Sequence, residues 1–338
     1  MSEIYRELKE FILYFLSQVY GFFAVLRRDL YYNGFIRQKS LPRPIISVGN
    51  LSVGGTGKTP IVIDIAKKLQ ERGYYVVVLS RGYKRKSRGT LLVSDGKKIY
   101  TDWKSAGDEP YLIAKYGIPV VVSKDRYKAG KFVLGKVDVD VFILDDGFQH
   151  YQLKRDVDIV VVDGTKPFWE DEVLPLGRLR EPPEVAIEYA DIFLINKVYT
   201  LDLIEIKRLE FHLEKYLKPV FVAKEKFEKL TNFEDDFPLD ILYRKRVGLF
   251  AGLGNNKQFF KVMEKLSREY DFCITERISL PDHYNYKKLE LPDVDVDYWI
   301  TTEKDLVKLS YRYRILALKY EVSFDEKFYD ELIDRIFK

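Results

Sequence analysis

Two patterns alternate between residues 45 and 197. Short, almost uninterrupted apolar runs lie at 45–48, 76–80, 119–122, 141–144, 159–162 and 192–195. Between them apolar positions recur every three or four residues, as at Ile61, Ile65 and Leu69. Runs of four or five apolar residues are strands buried on both faces. Such strands belong to parallel sheets with helices on each side. The pattern predicts a doubly wound α/β domain that takes its ligand at the carboxyl ends of the strands. Residues 201–216 read as a charged helix and 220–223 as a further strand. The segment 224–246 is charged and lacks a clear period, so it reads as a connection. A second, shorter α/β series follows, with runs at 247–251, 272–274, 298–301 and 315–318, a helix at 256–268 and a helical tail from Phe324. The organisation expected is therefore an N-terminal helix region (1–40), a nucleotide-binding domain (41–223), a connection (224–246) and a smaller α/β domain (247–338).

Residues 11–26 are the most apolar part of the chain, interrupted by Ser17 and Gln18. The run is shorter than the ~20 residues a spanning helix needs. Mixed charges precede it and no small-residue cleavage site follows, which argues against a signal peptide. Arg27, Arg28, Tyr31, Tyr32 and Phe35 come next. A helix with an apolar face and basic, aromatic flanks suits a membrane surface. An amphipathic helix packed on the domain is the other reading, and one helix can do both.

Composition narrows the class. The chain has 338 residues, 46% hydrophobic and 32% charged, as a globular protein has. A net charge of +4 gives no general attraction to nucleic acid. One cysteine, Cys273, excludes an internal disulfide framework and a cysteine-rich zinc site, and fits a reducing compartment.

The chemistry begins directly after the first strand. Ser52-Val53-Gly54-Gly55-Thr56-Gly57-Lys58-Thr59 separates that strand from a helix. Strand, glycine loop, Gly-Lys-Thr, helix is the context of a P-loop. Backbone N–H groups turn inward around phosphate, the helix N-terminus adds its positive dipole end, Lys58 reaches the β- and γ-phosphates, and the Thr59 hydroxyl ligates Mg²⁺. Ser52 stands where the general pattern has its first glycine. A second signal is Asp145-Asp146 at the end of an apolar strand, the place of a Walker-B carboxylate. Alternate side chains diverge on a strand, so either aspartate could face the metal. Asp108-Glu109 stands at a predicted helix start, as a cap or as part of a site. His283 follows Pro281-Asp282 in a turn, and a histidine beside a carboxylate is a general-base element or a plain surface turn. Basic residues 81–88 follow a strand, so they lie on the ligand edge and suit an anionic substrate or a membrane surface. Residues 124–128 extend them. Arg178, Arg180 and Glu181 share a loop in which an arginine can steady phosphate charge. Asn196-Lys197 is faintly similar to the base-reading loop of GTPases, but Tyr199 occupies the place of its aspartate.

Taken together these segments resemble the tetraacyldisaccharide 4'-kinase family, the lipid A 4'-kinases. The resemblance runs in order over nearly the whole chain. It is carried by residues 47–60, Ser80-Arg81-Gly82-Tyr83, residues 106–110, Asp145-Asp146-Gly147-Phe148-Gln149-His150, Leu179-Arg180-Glu181-Pro182, Pro281-Asp282-His283-Tyr284 and residues 301–305. The Ser52 departure is usual in that family. The resemblance implies a P-loop NTPase-like doubly wound sheet, a second, smaller α/β domain and an N-terminal amphipathic helix. It implies transfer of phosphate from ATP with Mg²⁺ to the 4'-hydroxyl of an acylated glucosamine disaccharide 1-phosphate, giving the lipid A precursor lipid IVA. It implies residence on the cytoplasmic face of the inner membrane, with no nucleic acid and no obligate protein partner. By matching motif, Asp108 and His283 form the base pair, Lys58 and Arg180 handle phosphate charge, and Thr59, Asp145, Asp146 and Glu181 serve the Mg²⁺ shell. A membrane-associated P-loop ATPase switch is the rival reading. Such switches usually carry a lysine where this chain has Val53.

Overall fold

The computed structural model describes residues 3–337 apart from 283, 293 and 310–313. The first sheet has eight strands: β1 (Ile45–Gly49), β2 (Val76–Ser80), β3 (Leu91–Asp95), β4 (Pro119–Val122), β5 (Val141–Asp145), β6 (Val157–Asp163), β7 (Ile192–Asn196) and β8 (Val220–Val222). Their order is β3-β4-β2-β5-β1-β6-β7-β8, parallel throughout except for β3 against β4. β1, β2, β4, β5, β6 and β7 are buried at every position, as their apolar runs require. Helices α1 (Glu3–Tyr32), α2 (Lys58–Glu71), α3 (Trp103–Ala106), α4 (Asp108–Lys115), α5 (Arg126–Leu134), α6 (Pro183–Ala186) and α7 (Leu203–Glu214) accompany this sheet. One core on one face joins Ile61, Ile65 and Leu69 of α2 to Ile46, Val78 and Ile143, and a separate core on the other joins Val133 to Leu79 and Leu144.

The remainder begins with β9 (Lys224–Lys226), β10 (Lys229–Thr231) and β11 (Asp236–Pro238). Next come β12 (Arg246–Ala251), α8 (Asn256–Glu269), β13 (Cys273–Ser279), β14 (Tyr298–Thr302), α9 (Glu303–Leu306), β15 (Ile315–Leu318), β16 (Glu321–Ser323) and α10 (Glu326–Ile336). The second sheet runs β11-β10-β15-β14-β12-β13, and β9 pairs with β16 in an antiparallel ribbon of its own. The segment 224–246, expected to be an aperiodic connection, thus supplies three strands. Three-residue strands such as Lys224-Glu225-Lys226 are too short to display an alternation. The tail helix, expected with the second unit, returns to the first. Phe328, Tyr329, Leu332 and Ile336 are buried in the same core as Ile46 and Val48. The Tyr329 hydroxyl donates to Asp64 of α2 at 2.6 Å.

α1 reverses the usual amphipathic rule. Ser17, Gly21 and Arg28 form the stripe that faces the body. Ser17 Oγ donates to the Val173 carbonyl at 2.8 Å, and a Cβ on Gly21 would stand 3.2 Å from Pro182 Cγ. The outward face holds Phe11, Phe15, Phe22 and Phe23, exposed by 67%, 59%, 62% and 60%. The helix has 30 residues, so it is about 45 Å long. By length and composition it is long and apolar enough to cross a membrane, beyond the 16-residue run visible in the sequence.

Candidate active site

The loop between β1 and α2 is built on close backbone approaches. A Cβ on Gly49 would stand 2.5 Å from Phe148 Cβ, so only glycine fits there. Asn50 crosses the loop: Nδ2 donates to the Ser52 carbonyl at 2.8 Å and Oδ1 accepts from Lys58 Nζ at 2.9 Å. Gly57, at φ +79°, turns the chain into α2. Val53, Gly54 and Gly55 are exposed, Thr56 is buried, and Thr59 stands half-buried in the first turn of α2. A second segment is zipped to the loop. Val53 N donates to the Arg178 carbonyl at 2.7 Å and Arg180 N to the Leu51 carbonyl at 2.8 Å. That pairing brings Arg180 to the lysine.

Asp145 ends β5 beside β1, its register partner being Val48. Asp146 follows at φ +53°, so the two carboxylates part. Asp145 is buried and accepts from Ser80 Oγ at 2.9 Å. Burial pushes it up to about 7, and the nearby Glu109 and Asp146 charges add to this. Burial alone would raise Asp146 too. Lys58 Nζ at 3.3 Å and Arg180 Nη1 at 3.0 Å from its oxygens outweigh burial and hold it well below the usual carboxylate range. Arg126, which sequence reading saw only as part of a basic surface run, is buried and feels both aspartates. Burial brings it down to about 10, and its Nε has no hydrogen-bond partner among the described residues.

Glu181, expected in the metal shell, is held by protein partners on both carboxylate oxygens. Oε2 pairs with Arg28 Nη2 of α1 at 2.5 Å and accepts from the Tyr151 hydroxyl at 2.8 Å. Oε1 accepts from Gln149 Nε2 at 2.9 Å. Both oxygens are engaged, and the side chains of Arg28 and Glu181 are 1% and 2% exposed. Gln149 Oε1 in turn accepts from Arg180 Nη1 at 3.1 Å. The residue stands behind the arginine.

Asp108 opens α4 after Gly107, whose φ is +95°. A Cβ on Gly107 would meet Gly82 Cα at 3.2 Å, which seats the helix start against the loop after β2. Lys308 Nζ lies 3.5 Å from Asp108 Oδ2 and 3.1 Å from Asp305 Oδ1, and Lys304 Nζ lies 3.1 Å from Glu109 Oε1. Two lysines of the second unit thus reach the acids of the first. His283 lies outside the described residues. Neither lysine stood out in the sequence as a site residue, although Lys304 belongs to a quoted motif. The basic loop after β2 divides: Arg81, Tyr83 and Lys84 are exposed, while Arg85 turns inward to the Val122 carbonyl and Ser87.

These residues share the carboxyl edge of the first sheet, and the donors suit Mg²⁺. Mg²⁺ needs one or two protein oxygens when phosphates and water complete its shell. Asp145 fits as a buried carboxylate whose charged form is disfavoured until a cation neutralises it. Among the described residues no group of three His, Cys, Asp or Glu forms a closed metal cage.

A glycine loop at the head of the central strand, a lysine in the following helix and carboxylates at the end of the neighbouring strand define a P-loop α/β nucleotide-binding protein. The comparisons with known proteins narrow this. The family model for tetraacyldisaccharide-1-P 4'-kinase matches residues 9–338, and the chain belongs to that family, whose members are ATP-dependent kinases. Tetraacyldisaccharide 4'-kinase of Aquifex aeolicus is 42% identical over 325 residues, covering 95% of this chain and 97% of that protein. Its namesake from Halothermothrix orenii is 37% identical, covering 89% and 83%. A solved structure described as the "apo" form of LpxK from Aquifex aeolicus in complex with ATP aligns with a TM-score of 0.80. It is 38% identical over 95% of this chain and 97% of that one.

Proposed function

We propose that this chain transfers the γ-phosphate of ATP to the 4'-hydroxyl of a tetraacylated glucosamine disaccharide 1-phosphate, giving lipid IVA. The observation that carries the reading is the convergence of Lys58 and Arg180 on Asp146, with buried Asp145 and Asp108 on the same sheet edge. Asp146 neutralises the two cations. With ATP present they turn to the phosphates, so the charge that the site stores becomes charge that it applies. Thr59, Asp145 and Asp146 would hold Mg²⁺, and the ion would supply positive charge against the phosphates. Glu181 serves by fixing Arg180. Asp108, together with His283, accepts the proton of the sugar hydroxyl, and the two lysines hold its carboxylate in place. His283 belongs to the second unit and Lys58 to the first, so closure of the two units over ATP aligns base and phosphate and keeps water out.

The outward aromatic face of α1 belongs at the headgroup level of the cytoplasmic leaflet. An acylated substrate stays in the bilayer, and a helix lying at the interface brings the site to it. Exposed Arg81, Lys84, Lys86 and Arg88 meet anionic headgroups or the substrate's 1-phosphate.

The test is transfer of label from [γ-³²P]ATP to a tetraacylated disaccharide 1-phosphate in detergent micelles. Labelled lipid with the native chain and none with Lys58→Ala is expected. Asp108→Asn should lower kcat by about 10²–10⁴ with ATP affinity unchanged. ATP hydrolysis without labelled lipid would sink the assignment and favour an ATPase switch.

A further inference from the structure

Asn196 ends β7 and is fully buried. Its place suggests a base-reading loop, but its side chain is committed elsewhere. Nδ2 donates to the carbonyls of Thr56 at 3.1 Å and Gly57 at 3.4 Å, both in the P-loop. Lys197 turns away to Asp163 at 2.6 Å. On the far side, Asn196 Oδ1 accepts from the Tyr320 hydroxyl at 2.9 Å, and the same hydroxyl lies 2.6 Å from Glu225 Oε1. Glu225 is in β9 and Tyr320 immediately precedes β16, so both belong to the ribbon through which the chain leaves the first sheet and returns. Tyr320 is stacked on Phe227, with ring centroids 5.0 Å apart and 10° between planes.

We propose that Asn196 is a positioning residue that aims the P-loop amides at phosphate, and that Tyr320 orients it from the inter-unit ribbon. The argument is planar geometry. In a trans peptide the C=O and N–H point in opposite directions. Holding the Thr56 and Gly57 carbonyls on Asn196 turns the N–H groups of Gly57 and Lys58 the other way, towards the cradle that phosphate occupies. Gly57 is the residue that admits this support, since a Cβ there would stand 2.3 Å from Asn196 Nδ2. The Asn196 amide has a single workable orientation. Its NH₂ faces two carbonyls and its oxygen faces a hydroxyl. The two carbonyls fix which end meets the loop, and the Tyr320 hydroxyl, shared with Glu225, holds the other end in place. Aiming amides before the ligand arrives lowers the ordering cost of binding, and the benefit falls on ligands that reach the β- and γ-phosphate positions.

The inference rests on the P-loop as the ATP site. Its test uses the full chain in detergent, as native protein, Asn196→Ala and Tyr320→Phe. Binding of ATP, GTP and AMP is measured by calorimetry, with thermal unfolding of each nucleotide-free protein alongside. Tyr320→Phe removes one oxygen and keeps the ring on Phe227, so it reports even where Asn196→Ala fails to fold. ATP affinity should fall about tenfold for Asn196→Ala and about threefold for Tyr320→Phe. AMP affinity and the ATP-to-GTP ratio should stay unchanged. Three results would overturn the inference: unchanged ATP affinity with a lower unfolding temperature, equal weakening of AMP and ATP, or a changed ATP-to-GTP ratio, which would make Asn196 a base reader. A native chain that fails to bind ATP overturns the ATP-site reading as well.

Discussion

Arg28→Met replaces a buried guanidinium with an apolar chain of similar length. Arg28 is among the largest fully buried side chains of the described residues. Nη1 donates to the Ala186 carbonyl at 3.0 Å and Nη2 to the Tyr151 hydroxyl at 3.1 Å, while Glu181 Oε2 lies 2.5 Å away. Phe148 and Tyr189 flank the cation at 4.9 and 4.8 Å from their ring centroids. Removing the cation leaves the Glu181 carboxylate buried with only Tyr151 and Gln149 as partners. Breaking one side of a buried pair costs about 3–5 kcal/mol. Glu181→Gln strands the arginine in turn, but the rings and the Ala186 carbonyl still hold it, so about 2–3 kcal/mol is expected. Arg28→Met/Glu181→Gln removes both charges and both desolvation terms, and should cost about 1–2 kcal/mol. The coupling is then about 3–7 kcal/mol, at or above the upper end of the range for paired side chains, as a fully buried ion pair warrants. Urea unfolding of the four proteins, without nucleotide, measures it. A double variant whose cost equals the sum of the singles within about 0.5 kcal/mol would refute the reasoning. The pair would then not be what fastens α1 to the loop that carries Arg180.

Burial raises Glu303 of α9 to about 7, while the Tyr116 hydroxyl at 2.5 Å and the Tyr320 amide at 3.1 Å oppose that rise. Lys319 and Glu321 also face it, with opposite effects. An ordinary glutamate titrates near 4.5, so the folded chain keeps a proton that the unfolded chain loses. That stabilisation is complete below about 4.5 and is lost as pH rises to about 7, on the order of 3 kcal/mol at most. Glu303→Gln should flatten this part of the pH profile of urea unfolding, and parallel profiles would contradict it. Replacing Phe11, Phe15 and Phe22 with serine should reduce binding to anionic phospholipid vesicles at least tenfold and leave ATP affinity unchanged. Unaltered vesicle binding would remove the aromatic face from membrane contact.

Much of this was legible because burial on both faces leaves a strong mark. Val76–Ser80 and Pro119–Val122 are apolar runs whose limits coincide with the strands. β3 escaped because it is an antiparallel edge strand, with Leu91, Leu92 and Asp95 only half-buried. The P-loop announced itself through glycine spacing, a local property. Contacts between distant segments did not. Nothing local marks Arg28 as the partner of Glu181, or Lys308 as a neighbour of Asp108. A trace did exist for Arg28. Ser17, Gly21 and Arg28 share one face of a helix that is otherwise aromatic and aliphatic, and a small or polar stripe there marks the side that docks. Asn196 drew notice only through a faint likeness to a base-reading loop, and its side chain goes to the P-loop carbonyls.

The segment 171–182 explains why α1 and the phosphate site should not be treated as separable. On one side it meets Ser17 through Val173, Gly21 through Pro182 and Arg28 through Glu181. On the other it meets the P-loop through Arg178 and Arg180, and Leu179 bridges to Ser52. The helix with the exposed aromatic face and the loop that carries Arg180 are thus two sides of one short segment. Truncating α1 would remove Ser17 and Gly21 from beneath it and loosen the backbone that sets Arg180. A deletion therefore cannot distinguish an anchor from a structural element, since both vesicle binding and ATP binding would fall. Substitutions confined to the outward phenylalanines leave the inner stripe in place. They can separate membrane contact from catalysis because the two faces of α1 touch different things.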